Sequence, residues 1–186
     1  MPGPTSIEGY AIVSADGMLA DADRRIPDGL KVKADQDFFH RALEQSAAVV
    51  HGRHSHEGGP SAQGRHRLIV TSRVGALAPD PSMPEALLWN PKGASLEAAW
   101  ARLGPPPGAL AVLGGAEVYG LFLDIGYDAF HLSRAARVRI PGGRPVFPGI
   151  GPDRTPEDVL ANHGLKAGPQ RVLDDDAGVT LLTWRR

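Results

Sequence analysis

The amino-acid sequence predicts an α/β fold: one domain whose mostly parallel central sheet is flanked by helices and closed by a C-terminal antiparallel hairpin. Three observations carry this. Short apolar runs alternate with segments of helical apolar spacing along most of the chain. The run "ALAVLGG" is apolar without alternation, as a strand covered on both faces is. The tail holds two strand-like segments, "LKAGPQRVL" and "VTLLTWRR", on either side of the turn "DDDAG".

Each element has its own signal. "IEGYAIVSADG" reads as a buried strand with a turn at its end. "MLADADRRIPDGLKVK" is polar and interrupted by Pro27 and Gly29, which predicts a loop. A helix follows, with Asp35 as its expected N-cap and Phe38, Phe39, Ala42 and Leu43 as its apolar stripe. "AAVVHG" is a strand, "RHSHE" one helical turn, "HRLIVTS" a strand and "ALLWN" a short one. "SLEAAWARL" is a helix with Ser95 as its cap. After "GPPPG" come the strand "ALAVLGG", the helix "AEVYGLFLD" opening directly on two glycines, and the strand "YDAFHLSRA". No segment has the composition of a linker, so residues 1–186 are read as a single domain.

Composition narrows the function classes. The 186 residues suffice to bury a core. Glycine (23) and proline (17) make up about a fifth of the chain, which marks turns and stays below the disorder range. A net charge of −1 supplies no global field for nucleic acid or a membrane surface. With no cysteine there are no disulfides, no thiolate-bound zinc and no thiol catalysis, which fits a reducing cytoplasm. "MPGPTS" lacks the basic start of a signal peptide, and no apolar run approaches the ~20 residues of a membrane span. The oligomeric state is left open, a homodimer included.

Candidate chemistry concentrates in two junctions. "VVHGRHSHEGG" sets His51, His54 and His56 beside Glu57, which invites a metal reading. The spacing argues against it, because helical zinc ligands stand four apart and no HExxH occurs. A buried strand running through Gly52 into a helical turn presents backbone N–H groups and a helix dipole, which suit a phosphate. Arg53 adds a forked cation and Ser55 a hydroxyl. "LAVLGGAEVYGLFL" repeats the strand–glycine–helix pattern at Gly114 and Gly115, either for close approach to a pyrophosphate or for close helix–strand packing. It lacks the third glycine of GxGxxG. Ser72 and Arg73 end the strand after the first junction. With Arg53, Arg73 makes a two-arginine clamp suited to a 2′-phosphate, or else it is a solvated surface residue.

Together, "HGRHSHEGGPSAQGRHRLIVTS" and "VLGGAEVYGLFL" resemble the cofactor-binding framework of dihydrofolate reductase. "FHLSRA" and "GGRPVFPGI" are similar to later blocks of that family, and the order holds from "YAIVSADGMLA" to the terminal hairpin. The resemblance implies an NADPH-dependent reductase that transfers hydride to a C=N bond of a dihydropterin or dihydrofolate. It implies cofactor contacts from Ile12, Leu19, Gly52, Arg53, His54, Ser55, Ser72, Arg73, Gly114, Gly115, Ala116, Glu117, Val118 and Tyr119. It places Arg65, Phe39 and Ser133 at the substrate, and it implies no metal. Counting back from Gly52 without a gap puts the family's acid at Gln36, so Asp35 and Asp37 on either side are the candidate proton-handling residues.

Two residues depart from that pattern. "RIPDG" carries Asp28 where the family has tryptophan, and Arg144 replaces an aspartate. "SADGMLA" and "SAAVVHG" are similar instead to the pyrimidine reductase of riboflavin synthesis, whose substrate bears a ribose phosphate. That enzyme is the alternative function, and a non-catalytic nucleotide-binding domain of the same fold is a third.

Overall fold

The computed structural model describes residues 3–55 and 62–186. Its strands are β1 (Ile7–Ser14), β2 (Met18–Ala20), β3 (Ala48–Gly52), β4 (Arg67–Val70), β5 (Leu77–Pro79), β6 (Ala86–Trp89), β7 (Leu110–Val112), β8 (Ala129–Ala135), β9 (Arg144–Pro145), β10 (Lys166–Ala167), β11 (Arg171–Asp174) and β12 (Val179–Arg185). The helices are α1 (Lys33–Glu44), α2 (Leu96–Leu103), α3 (Ala116–Ile125) and α4 (Pro156–Asn162). Among the described residues, β8, β1, β7, β3, β4 and β6 lie side by side, all parallel. β12 joins antiparallel beside β8, and β5 joins antiparallel beside β6. This is the expected α/β architecture, and β11–β12 is the expected antiparallel hairpin. No helix among the described residues is long and apolar enough to cross a membrane.

Period-two alternation sorts the sheet residues between two layers. Val13, Val50, Leu68, Val112 and Phe130 face α2, α3 and α4 in the main core. Tyr10, Val49 and Ala111 face α1, where Leu43, Phe38 and Phe39 cover them. The apolar stripe read in α1 is therefore its buried face.

Several local features differ from the sequence expectations. The N-cap of α1 is Val32, with no side-chain cap bond, and Asp35 is the helix's third residue with its side chain buried. The segment read as a loop contains β2 and a 3-10 turn at Asp28–Leu30, because Leu30 inserts into a small core with Val32 and Ile140. "LKAGPQRVL" is two strands, not one. Pro169 stands in the break, and proline has no N–H to give a ladder. β5, β9 and α4 were not anticipated. α4 carries a capping box between Thr155 and Asp158 and a proline in its first turn, signals legible in "TPEDVL". Of the helical turn expected at "RHSHE", Arg53 and His54 form a turn closed by Ser55 N–H on Gly52 O (3.1 Å), and the rest lies outside the described residues.

The "SADG" stretch has a structural role. Ser14 Oγ donates to Asp16 (2.5 Å), and the Asp16 carboxylate accepts the Ile140 N–H (3.1 Å). Together they fasten the end of β1 to the chain leaving β8.

Candidate functional site

Ligands of open parallel sheets bind beyond the carboxyl ends of the strands. β1 ends at Ser14, β3 at Gly52, β4 at Val70 and β7 at Val112, so both glycine junctions and the Ser72–Arg73 pair share one rim. The two junctions touch. Gly52 N–H donates to Gly114 O (2.8 Å), and a Cβ built on Gly115 would lie 3.3 Å from Ser55 Oγ. Gly114 is at φ +90° and is joined to Gly115 by a cis peptide bond. A Cβ on Gly114 would collide with the Tyr119 ring at 2.4 Å. The close-packing reading of the glycine pair holds at Gly114, where the helix's own ring fills the space. Gly114 makes room for the helix's own tyrosine, and Gly115 keeps a cradle open against Ser55.

Tyr119 is buried, and its hydroxyl donates to the Tyr10 carbonyl of β1. Burial raises its phenol pKa, and the nearby Asp35 carboxyl raises it further. Asp35 projects from α1 onto the sheet and is 9 % exposed. Burial pushes its carboxyl above the usual range, and the Ser133 hydroxyl, hydrogen-bonded to it, offsets part of that rise. Ser133 is opposite Ile12 in the β1–β8 register, so Ile12 lies between the acid and the glycine junctions. The structure thus brings together Asp35, Ser133, Ile12, Tyr119, Gly114, Gly115, Gly52 and Ser55.

Other predicted residues fall as follows. Arg53, His54, Ser72 and Arg73 are exposed at the same rim, where a soluble anion has access. Leu19 is half-buried in β2. Ala116, Glu117 and Val118 form the first turn of α3. Val118 is buried in the core, and the exposed Glu117 lines an open groove with Arg154 and His163. Phe39 packs on Tyr10 at 6.3 Å between ring centroids. Arg65 precedes β4, at the opposite end of the sheet from Gly52, and donates to Leu43 O at the end of α1. Asp37 is corrected. It is exposed and paired with Lys33 (2.5 Å), which holds its carboxyl low, so it is no proton-handling group here. Asp35 as a helix cap is likewise overturned.

Two clusters were missed. Glu8 accepts from Tyr10 Oη (2.9 Å) and faces His131 Nε2 (3.0 Å), with the His131 ring stacked on Tyr10 at 4.6 Å. The His131 hydrogen bond leads in bringing Glu8 down to about 2. The second cluster is buried beneath the first junction, where His51 meets Arg67. Glu8 and Tyr10 share a strand face two residues apart, whereas His131, and Arg67 beside His51, become neighbours only through strand pairing. Among the described residues no cluster of potential metal ligands occurs.

The strand order and the mostly parallel sheet are those of the dihydrofolate reductase-like fold, and this chain has that fold. A protein described as a riboflavin biosynthesis protein, from Shewanella sp. PV-4, matches with a TM-score of 0.66 at 17% identity over 98% of this chain and 99% of its own. The diaminohydroxyphosphoribosylaminopyrimidine deaminase/5-amino-6-(5-phosphoribosylamino)uracil reductase of Thermotoga maritima matches with a TM-score of 0.64 at 17% identity. RibD of Acinetobacter baumannii matches with a TM-score of 0.67 at 16% identity. The chain spans 56% of the Thermotoga protein and 58% of the Acinetobacter one. No family model matches the chain. No curated protein matches it either.

Proposed function

We propose that this chain is an NADPH-dependent reductase acting on a C=N bond of a small substrate that carries a pyrimidine ring. The observation that carries this is the continuity of the site. A buried carboxyl hydrogen-bonded to Ser133 is near enough to raise the Tyr119 phenol, and the Tyr119 ring packs on Gly114, which is bonded to the Gly52 turn. The cofactor, when bound, supplies a hydride to the carbon of the C=N bond, the bond's electron pair moves to nitrogen, and the nitrogen takes up one proton.

The chain's own residues do the holding. The Gly52–Ser55 turn and the start of α3 suit phosphates, since backbone N–H groups and the helix dipole converge there. Gly115 keeps the cradle clear, because any side chain would meet Ser55. Arg53 and Arg73 fit a 2′-phosphate by forked, charge-assisted bonds. Asp35 faces the substrate from a dry setting. Its carboxyl, raised by burial, suits a group that handles a proton and orients ring N–H groups.

The likeness to riboflavin-pathway proteins over 98% of the chain supports 5-amino-6-(5-phosphoribosylamino)uracil as the substrate. The Asp35–Ser133 pair supports a second reading, a dihydropterin or dihydrofolate, for which a buried carboxyl matches the ring's amino and imino N–H groups. The test is NADPH oxidation followed at 340 nm (the nicotinamide absorption) with each compound in turn. Turnover of the ribosylaminopyrimidine alone supports the first substrate, and turnover of the pterin alone supports the second. NADPH binding without turnover of either would leave a nucleotide-binding domain and overturn the reductase proposal.

A further inference from the structure

We infer that His51 is a positioning residue for the cofactor turn, acting through the Gly52 carbonyl. The inference rests on the cofactor reading proposed above. His51 and Arg67 are buried, at 2% and 4% exposure, directly behind the turn. His51 Nε2 lies 2.8 Å from Arg67 Nη1, and His51 Nδ1 lies 2.8 Å from Gly52 O. The chemistry of the partners fixes the proton. A guanidinium only donates, so Nε2 accepts and bears no hydrogen. A carbonyl only accepts, so Nδ1 carries the hydrogen and donates. The imidazole is therefore neutral and held in one tautomer from both sides. Arg67 is itself oriented by donating from Nη2 to Ala62 O (3.2 Å).

The consequence falls on Gly52. Its carbonyl accepts both His51 Nδ1–H and the Ser55 N–H (3.1 Å) that closes the turn, while its own N–H is held by Gly114 O (2.8 Å). Glycine is the residue freest to rotate its peptide. A rotated Gly52 carbonyl would turn the negative end of its dipole toward the anion that the turn is to hold. His51 fastens that carbonyl on the sheet side, and the bond from Gly52 to Gly114 carries the same constraint to the second turn. The histidine-rich stretch thus contains one residue that works from inside the protein, separate from His54 at its surface.

Two substitutions separate the two bonds. His51→Asn keeps a donor in the place of Nδ1 and loses the acceptor for Arg67. His51→Gln keeps an acceptor near Nε2 and loses the donor to Gly52. The measurements are the Kd for NADPH by calorimetry and the melting temperature of each variant. The expected result is a Kd within about twofold of wild type for His51→Asn and about tenfold weaker for His51→Gln, the size of one lost hydrogen bond. The reverse order, equal weakening, or no change in either variant overturns the inference. Wild-type protein that fails to bind NADPH overturns the cofactor reading itself and this inference with it. That result is distinct from tight wild-type binding with indifferent variants.

Discussion

Gly114 stands at φ +90°, and a methyl group on it would lie 2.4 Å from Cε2 and 2.8 Å from Cζ of Tyr119. The ring cannot retreat. It is 3% exposed, packed edge-on against Phe130 and Phe147, and fastened through its hydroxyl to Tyr10 O. Gly114→Ala therefore meets two penalties, about 1–2 kcal/mol for the left-handed backbone and about 1–3 kcal/mol for overpacking. A combined loss of about 3 kcal/mol corresponds to a fall in Tm of roughly 6–12 °C for a chain of this size. Gly115→Ala is the internal control. Gly115 is at φ −72°, and its new methyl would meet only Ser55 Oγ, at 3.3 Å, on a short side chain able to turn aside. Its Tm should stay within about 2 °C of wild type. The methyl would nevertheless fill the cradle, so NADPH affinity should fall by about tenfold or more. Thermal unfolding by circular dichroism and NADPH calorimetry on both variants read the two effects. A Gly114→Ala protein melting like wild type would refute the account of Tyr119. A Gly115→Ala protein binding NADPH like wild type would refute the assignment of the cradle.

Other outcomes follow from the same geometry. Asp35→Asn should lower turnover about 10²-fold or more at neutral pH and less in acid, as removal of a proton-handling group does. Burial raises the folded-state pKa of Asp35, so its contribution to stability is fully present below the ordinary carboxylate range and is lost as pH rises through the folded value. Asp35→Asn should consequently be as stable as wild type in acid and more stable at neutral pH, and unfolding curves at the two pH values check this. Glu8 behaves oppositely. Its carboxyl is lowered from 4.5 to about 2, first by its hydrogen bond to His131, so its contribution is present above pH 4.5 and disappears as pH falls toward 2. After discount for solvent screening that contribution is about 1–2 kcal/mol, and Glu8→Gln should flatten this part of the acid-unfolding profile. Arg53→Ala should weaken NADPH about tenfold while leaving NADH nearly unchanged, and equal losses for both in a binding titration would mean that Arg53 does not contact the 2′-phosphate.

Much of the fold was legible because it rests on local pattern. The strand run "ALAVLGG", the helix "SLEAAWARL" with its Ser95 cap and the "DDDAG" hairpin all stand where periodicity and turn chemistry put them. Asp35 shows the limit. An aspartate near a helix start reads as a cap, and only the approach of β8 to α1 makes it a buried acid facing Ser133. The contact of Gly52 with Gly114 is long-range, made by placing β3 beside β7, and no spacing in the chain announces it. His51 and Arg67 become neighbours the same way, through the pairing of β3 with β4.

The joined glycine turns are proposed to hold a pyridine nucleotide by its phosphates. Calorimetric titration of the wild-type protein with NADPH, and with NADH alongside, tests it most directly. One site per chain is expected, with a Kd on the order of micromolar for NADPH and clearly weaker binding of NADH. Absence of heat from either nucleotide up to millimolar concentration would contradict it.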